Sequence, residues 1–167
     1  MKSIKMLILD VDGVLTDSRI YFSDAGYEMK AFNSKDGHGL KLLMRAGLDV
    51  AILTGRASKA VEHRATDLGI SHVIQAAKDK KQALLELAEV VDVDPSEMAY
   101  MGDDLVDLPP MTLCGLSIAP ADAVDEVKNR VDIVTKLPGG YGAVREAVEI
   151  ILKRLGLYDT VMERYVV

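Results

Sequence analysis

Two carboxylates stand two residues apart at Asp10 and Asp12, directly after the apolar run Met6-Leu7-Ile8-Leu9 and before Gly13. Such a run suits a strand buried on both faces of a parallel sheet. Its carboxyl end is where ligands bind in open α/β sheets. Carboxylates this close repel one another, and a divalent cation relieves the repulsion. Mg2+ is commonly held by one or two carboxylates together with substrate phosphate oxygens. Two later apolar runs end the same way, one in Thr54-Gly55-Arg56 and the other in Gly102-Asp103-Asp104, with Asp107 close behind. Together these residues ask for a phosphate and a metal. Carboxylates would hold the cation, while a hydroxyl and a backbone amide at a helix start would hold phosphate oxygens. Lys80, at a later helix start, could add positive charge from the side. Each feature alone has a plainer reading. Thr54 could cap a helix, Lys80 could be solvated, and Asp104 and Asp107 could favour a helix dipole. Their joint order and location carry the argument.

The elements that must position them follow from pattern. Residues 19–32 carry two β-rich runs around Ser23-Asp24-Ala25-Gly26 and predict a hairpin. Residues 33–39 are polar and glycine-containing, and a helix is expected from Leu40 to Ala46, ending at Gly47. Strands are expected at 48–53, 72–76, 98–101, 116–119 and 133–135. Helices are expected at 58–68, 80–91 and from the Gly139-Gly140-Tyr141-Gly142 turn to Leu155, followed by a tail after Gly156. Strands alternating with helices predict βαβ units. The expected fold is α/β, a doubly wound, Rossmann-like parallel sheet with helices on both faces and a β-hairpin inserted after the first strand. One domain over residues 1–167 is expected, with the hairpin at about 19–32 and the tail at about 157–167.

Composition narrows the function. The 167 residues are 49% hydrophobic and 28% charged, an ordinary globular balance. A net charge of −6 without a basic stretch argues against nucleic acid or an anionic membrane surface as partner. Cys114 is the single cysteine, which excludes an intrachain disulfide and reads as a small core residue. The amino terminus lacks the apolar region and cleavage site of a signal peptide, and no run is long enough to span a membrane. A cytoplasmic protein is expected.

The motif order resembles the haloacid dehalogenase superfamily of phosphatases. Asp10-Val11-Asp12-Gly13 matches its first motif, Thr54 its second, Lys80 its third, and Gly102-Asp103-Asp104 with Asp107 its fourth. Five further stretches, at residues 32–41, 52–56, 62–70, 100–109 and 139–146, make the chain similar to members that act on an eight-carbon sugar-acid phosphate for lipopolysaccharide. A nine-carbon sugar acid 9-phosphate is the alternative. The chain departs from the pattern at Ala76, where glycine is usual, and at Lys41, where arginine is common.

The resemblance implies hydrolysis through an aspartyl-phosphate. Asp10 would be the nucleophile and Asp12 the acid and then the base. Mg2+ would sit on Asp10, Asp103 and the backbone carbonyl of Asp12. Thr54, Gly55 and Lys80 would cradle phosphate, with Asp104 and Asp107 orienting Lys80 or metal waters. Asn33, Lys35, Asp36, Gly37, Lys41, Arg56 and Arg64 are the expected substrate contacts, Arg56 and Arg64 reading the sugar carboxylate. A receiver-type phosphoacceptor module is the rival class. It needs its aspartate at the end of the third strand, where this chain has Gln75-Ala76. Only 41 residues separate Asp12 from Thr54 and 25 separate Thr54 from Lys80, too few for a cap domain. With no cap to close the site and an apolar hairpin to bury, a homotetramer is expected, as in the resembling phosphatases. The tail, with Tyr158 and Arg164, is expected to reach a neighbour's site.

Overall fold

A computed structural model describes residues 3–166; Met1, Lys2 and Val167, the last residue of the expected tail, lie outside the described residues. Eight strands and seven α-helices follow in chain order: β1 (Met6–Leu9), β2 (Tyr21–Phe22), β3 (Glu28–Met29), α1 (Ser34–Arg45), β4 (Asp49–Leu53), α2 (Lys59–Leu68), β5 (His72–Ile74), α3 (Lys80–Val91), β6 (Met98–Met101), α4 (Leu108–Met111), β7 (Leu116–Ala119), α5 (Asp125–Lys128), β8 (Ile133–Val134), α6 (Ala143–Arg154) and α7 (Tyr158–Met162). Six strands form one parallel sheet in the order β5-β4-β1-β6-β7-β8, and β2 and β3 form a separate antiparallel hairpin. The order reverses at β1, so the crevice between the ends of β1 and β6 is a topological switch point.

Strand alternation divides the core in two. Leu7 and Leu9 face a cluster with Leu40, Val61 and Val148, under α1, α2 and α6. Met6 and Ile8 face the other side with Leu84, Met98 and Tyr100, under α3. All four β1 side chains are buried, because helices cover both faces.

Helix α1 starts at Ser34, six residues before the expected Leu40, and takes in the polar, glycine-containing stretch. Asn33 caps it, its side chain accepting from Lys35 and Asp36 N–H. Gly37 and Gly39 lie inside the helix because its neighbours come too close for a side chain. A Cβ on Gly37 would stand 2.2 Å from the Arg64 guanidinium, and one on Gly39 would stand 3.2 Å from the Arg145 Cα. Close packing outweighs the helix penalty of glycine, roughly 1 kcal/mol per residue.

Strand β5 stops at Ile74, short of the expected Ala76, which adopts φ +56°. This left-handed conformation suits the glycine that Ala76 replaces. It lets Ala76 N–H donate to Arg56 O at 3.3 Å and Ala77 N–H to Thr54 O at 3.1 Å, which pins two site loops together. The tail is helical and docks on its own chain: Val161, Leu157 and Tyr158 join the core, and Tyr165 Oη lies 2.5 Å from Arg45. Tyr158 lies under Lys153 and Arg164 beside Tyr165.

Asp36 illustrates how the fold reassigns a residue. Its buried carboxylate accepts from Gly142 N–H at 3.2 Å and Arg145 N–H at 2.8 Å, capping the start of α6. Asp36→Ala is expected to lower stability by about 1–3 kcal/mol through unpaired buried amides, which is a fall in Tm of several degrees for a chain of this size. Thermal unfolding followed by circular dichroism checks this; an unchanged Tm would contradict the capping role.

Candidate active site

At the switch point, three strand ends deliver their polar residues to one crevice. Asp10 still donates its N–H to Met101 O at 3.0 Å, so it is held as part of the sheet although its side chain turns into the site. Gly13, at φ +86°, turns the chain where a Cβ would lie 1.9 Å from an Asp103 carboxylate oxygen. Only glycine leaves room for Asp103 there. Thr54 is buried beyond β4, its N–H donating to Ile74 O at 2.9 Å; the cap position of α2 belongs to Ser58 instead.

Lys80, in the first turn of α3, is the hub. Its Nζ lies 2.9 Å from Asp10 Oδ2 and 2.7 Å from Asp107 Oδ1. Asp107 also accepts from Tyr100 Oη at 2.9 Å and from Asp103 and Asp104 N–H at 3.1 and 3.3 Å. Buried completely, it is an anchor that aims Lys80, whereas Asp104 is exposed and caps the short turn after it through Leu105 N–H.

The electrostatics follow from crowding carboxylates in a poorly solvated place. Burial, then Asp107, pushes Asp10 up to about 6 against the pull of Lys80. Burial, then Asp107 and Asp10, pushes Asp103 up to about 8. Burial works against the charge of Lys80, but Asp107 and Asp10 outweigh it and raise its pKa. Cys114 is pushed up to about 12 by burial, which agrees with a core thiol rather than a reactive one.

The cluster also fits a cation. Carboxylate oxygens of Asp10, Asp103 and Asp107 lie within 4.8 Å of one another, and Asp10 Oδ1 is buried without a hydrogen-bond partner. A hard divalent ion suits that donor set. Since Asp107 is engaged by Lys80, Tyr100 and two amides, Asp10 and Asp103 are the side chains left to hold it.

A cavity of about 290 Å3 opens here, lined by Asp10, Asp12, Ser18, Thr54, Gly55, Arg56, Lys80, Asp103, Asp104 and Val106. The structure thus gathers the core of the expected set and leaves others outside the lining. Asn33 caps α1 and donates to Gly140 O at 3.1 Å. Asp36 caps α6, and Gly37 is a packing position. Lys35 lines a different cavity, with Arg145 and Lys153. Lys41 lies on α1, half-buried. Arg64 donates to Asn33 O at 3.1 Å and lies over Phe32, tying α2 to the start of α1. Lys78 and Lys81 line an adjoining cavity that shares Gly55, Lys80 and Val106 with the first.

Two residues escaped the motif reading, Glu28 and Lys30 on the hairpin. Lys30 Nζ meets Asp12 Oδ1 at 2.5 Å and Glu28 Oε1 at 3.0 Å, and Glu28 pairs with Arg56. Burial works against the charge of Glu28, but hydrogen bonds from Arg56 and Lys30 hold its carboxyl below the usual value. Strand alternation was the available signal, since residues 28 and 30 share the face opposite Met29.

Comparison with known proteins agrees with this geometry. Residues 69–144 match the family of haloacid dehalogenase-like hydrolases. The chain is 46% identical over 158 residues to the 3-deoxy-D-manno-octulosonate 8-phosphate phosphatase of Escherichia coli K12, covering 95% of this chain and 84% of that one. The crystal structure of the enzyme of that name from Yersinia pestis superposes with a TM-score of 0.92 at 45% identity, covering 93% of this chain and 84% of that one. One from Moraxella catarrhalis, in complex with magnesium, phosphate and KDO, superposes at 0.94 with 41% identity, covering 97% and 93%.

The carboxylate cluster predicts a pH-dependent metal effect on stability. An acid whose folded pKa is raised binds its proton more tightly folded than unfolded, so stability falls as pH rises from the unfolded value towards the folded one. For Asp103 that window is 3.8 to about 8. In chelator, Tm should therefore drop by several degrees between pH 5 and 8, and Mg2+ should restore more at pH 8 than at pH 5. Asp103→Asn should flatten both responses; a metal response that survives in this variant would place the ion elsewhere.

Proposed function

Since the chain belongs to the haloacid dehalogenase-like hydrolase family, we propose that it hydrolyses 3-deoxy-D-manno-octulosonate 8-phosphate to the free sugar acid and phosphate, in the supply of a lipopolysaccharide sugar. One observation carries the reading: Asp10 has one oxygen held by buried Lys80 and the other without a hydrogen-bond partner, and it lines one cavity with Thr54 and Gly55. A carboxylate so held is already a nucleophile near neutral pH.

The Asp10 carboxylate attacks phosphorus and the bond from phosphorus to the sugar oxygen breaks, while Asp12 gives that oxygen a proton. Water then attacks phosphorus of the aspartyl-phosphate, its proton returns to Asp12, and Asp10 is restored. Lys80 and the Thr54-Gly55 turn neutralise and orient the transferred group. Asp10 and Asp103, with the Asp12 carbonyl, would hold Mg2+, which would supply positive charge to the phosphate. Arg56, 43% exposed at the rim, meets the carboxylate of the sugar. Arg64, held on Asn33 O and over Phe32, braces the start of α1.

The chain acts as one hydrolase domain, a cytoplasmic homotetramer of capless subunits. The hairpin supports this, since Tyr21, Phe22, Tyr27 and Met29 are all exposed, more apolar surface than a two-stranded arm leaves in water. Closed symmetry is the usual way for identical chains to bury such a patch. Light scattering should give four chain masses; a stable, fully active monomer would contradict the assembly.

A phosphate-release screen with Mg2+ over sugar phosphates, including a nine-carbon sugar acid 9-phosphate, tests the reaction. The eight-carbon substrate should be preferred, and Asp10→Asn should lose turnover by at least about 10³-fold while remaining folded. Arg56→Ala should lower kcat/KM for the sugar-acid phosphate roughly tenfold or more, and far less for a small aryl phosphate. Full activity of Asp10→Asn would end the mechanism; equal losses in Arg56→Ala would remove its role in selecting the substrate.

A further inference from the structure

We propose that Lys30, delivered by the hairpin, is a positioning residue that holds the Asp12 carboxyl where it can protonate the departing oxygen. The inference rests on the hydrolysis proposed above and adds a residue to it. Lys30 has 1% of its side chain exposed, and its ammonium contacts Asp12 and Glu28. Burying a lysine is costly unless it is paired, and even a paired one seldom adds net stability compared with an apolar side chain of similar size. A role in fixing geometry accounts for a cation in this place. The contact is also directional. Lys30 holds Asp12 Oδ1, while Arg56 stands 3.7 Å from Oδ2, at the rim. When Arg56 turns to a substrate carboxylate, Lys30 alone keeps the Asp12 side chain in place. Glu28 contacts both cations.

Met29, between Glu28 and Lys30, points outward and is 57% exposed. The same short strand thus offers one face to solvent or a neighbour and the other to the site. This is why a residue 18 positions from Asp12 in the chain can set its orientation.

The test separates positioning from bulk structure by the leaving group. An aryl oxide departs without a proton, whereas a sugar or alkyl alkoxide needs one, and kcat/KM reports every step through that departure. Lys30→Met, which keeps the length and burial of the side chain, should lower kcat/KM on the order of 100-fold for the sugar-acid phosphate and for a simple alkyl phosphate. The loss for a p-nitrophenyl phosphate should stay below about tenfold, in line with the usual worth of general acid catalysis. Lys30→Arg should recover part of the alkyl activity. Aryl phosphate turnover by the variant itself certifies the fold. Equal losses on both substrates, or a rise on the alkyl phosphate, would overturn the proposal. Wild-type protein inactive on every phosphate ester would instead refute the hydrolase reading beneath it.

Discussion

A lysine with almost no exposed surface holds together a site that would otherwise repel itself. Asp10, Asp103 and Asp107 crowd one crevice, and Lys80 is the cation that contacts two of them, at 2.9 and 2.7 Å. Burial first, and then the neighbouring carboxylates, raise Asp10 and Asp103 despite that lysine. That residual charge imbalance is a binding site for a cation, and for a phosphate that arrives with it. Much of the surrounding fold is arranged to sustain the imbalance. The sheet fixes Asp10, Tyr100 and two amides fix Asp107, and the first turn of α3 presents Lys80.

The glycines around this cluster are packing solutions as much as turns. Gly13 makes space for Asp103, and Gly102 would meet Asp107 Cβ at 2.4 Å if it carried a side chain. Removing side chains at these two points lets three carboxylates share a volume that ordinary residues would fill. On the far side, α1 approaches α6 through Gly39, and Asp36 joins the two helices by capping.

The sheet and the metal-phosphate cluster were legible because they rest on local, periodic features. Met6–Leu9, Lys80–Val91, Met98–Met101 and Leu116–Ala119 fall where the apolar pattern put them. The start of α1 was hidden because glycine is a poor helix former, and only the approach of Arg64 and Arg145 explains Gly37 and Gly39 within it. The short helices α4 and α5 and the helical tail carry too few residues for a period to show. Within the expected substrate set, motif resemblance named Asn33, Asp36 and Gly37, whose contacts are with helix ends and neighbours. Lys30 went unnoticed because the value of a hairpin side chain depends on how the hairpin folds back, which no local pattern encodes.

The central claim is that Asp10 carries the phosphoryl group during turnover. Acid-quenching the enzyme with Mg2+ and substrate during the steady state, reducing with borohydride and sequencing the peptides by mass spectrometry tests it directly. Reduction of an aspartyl-phosphate at this site should convert residue 10 to homoserine, in an amount that rises with substrate and disappears when phosphate ester is omitted. Homoserine at another aspartate, or none at any position while turnover proceeds, would contradict the account.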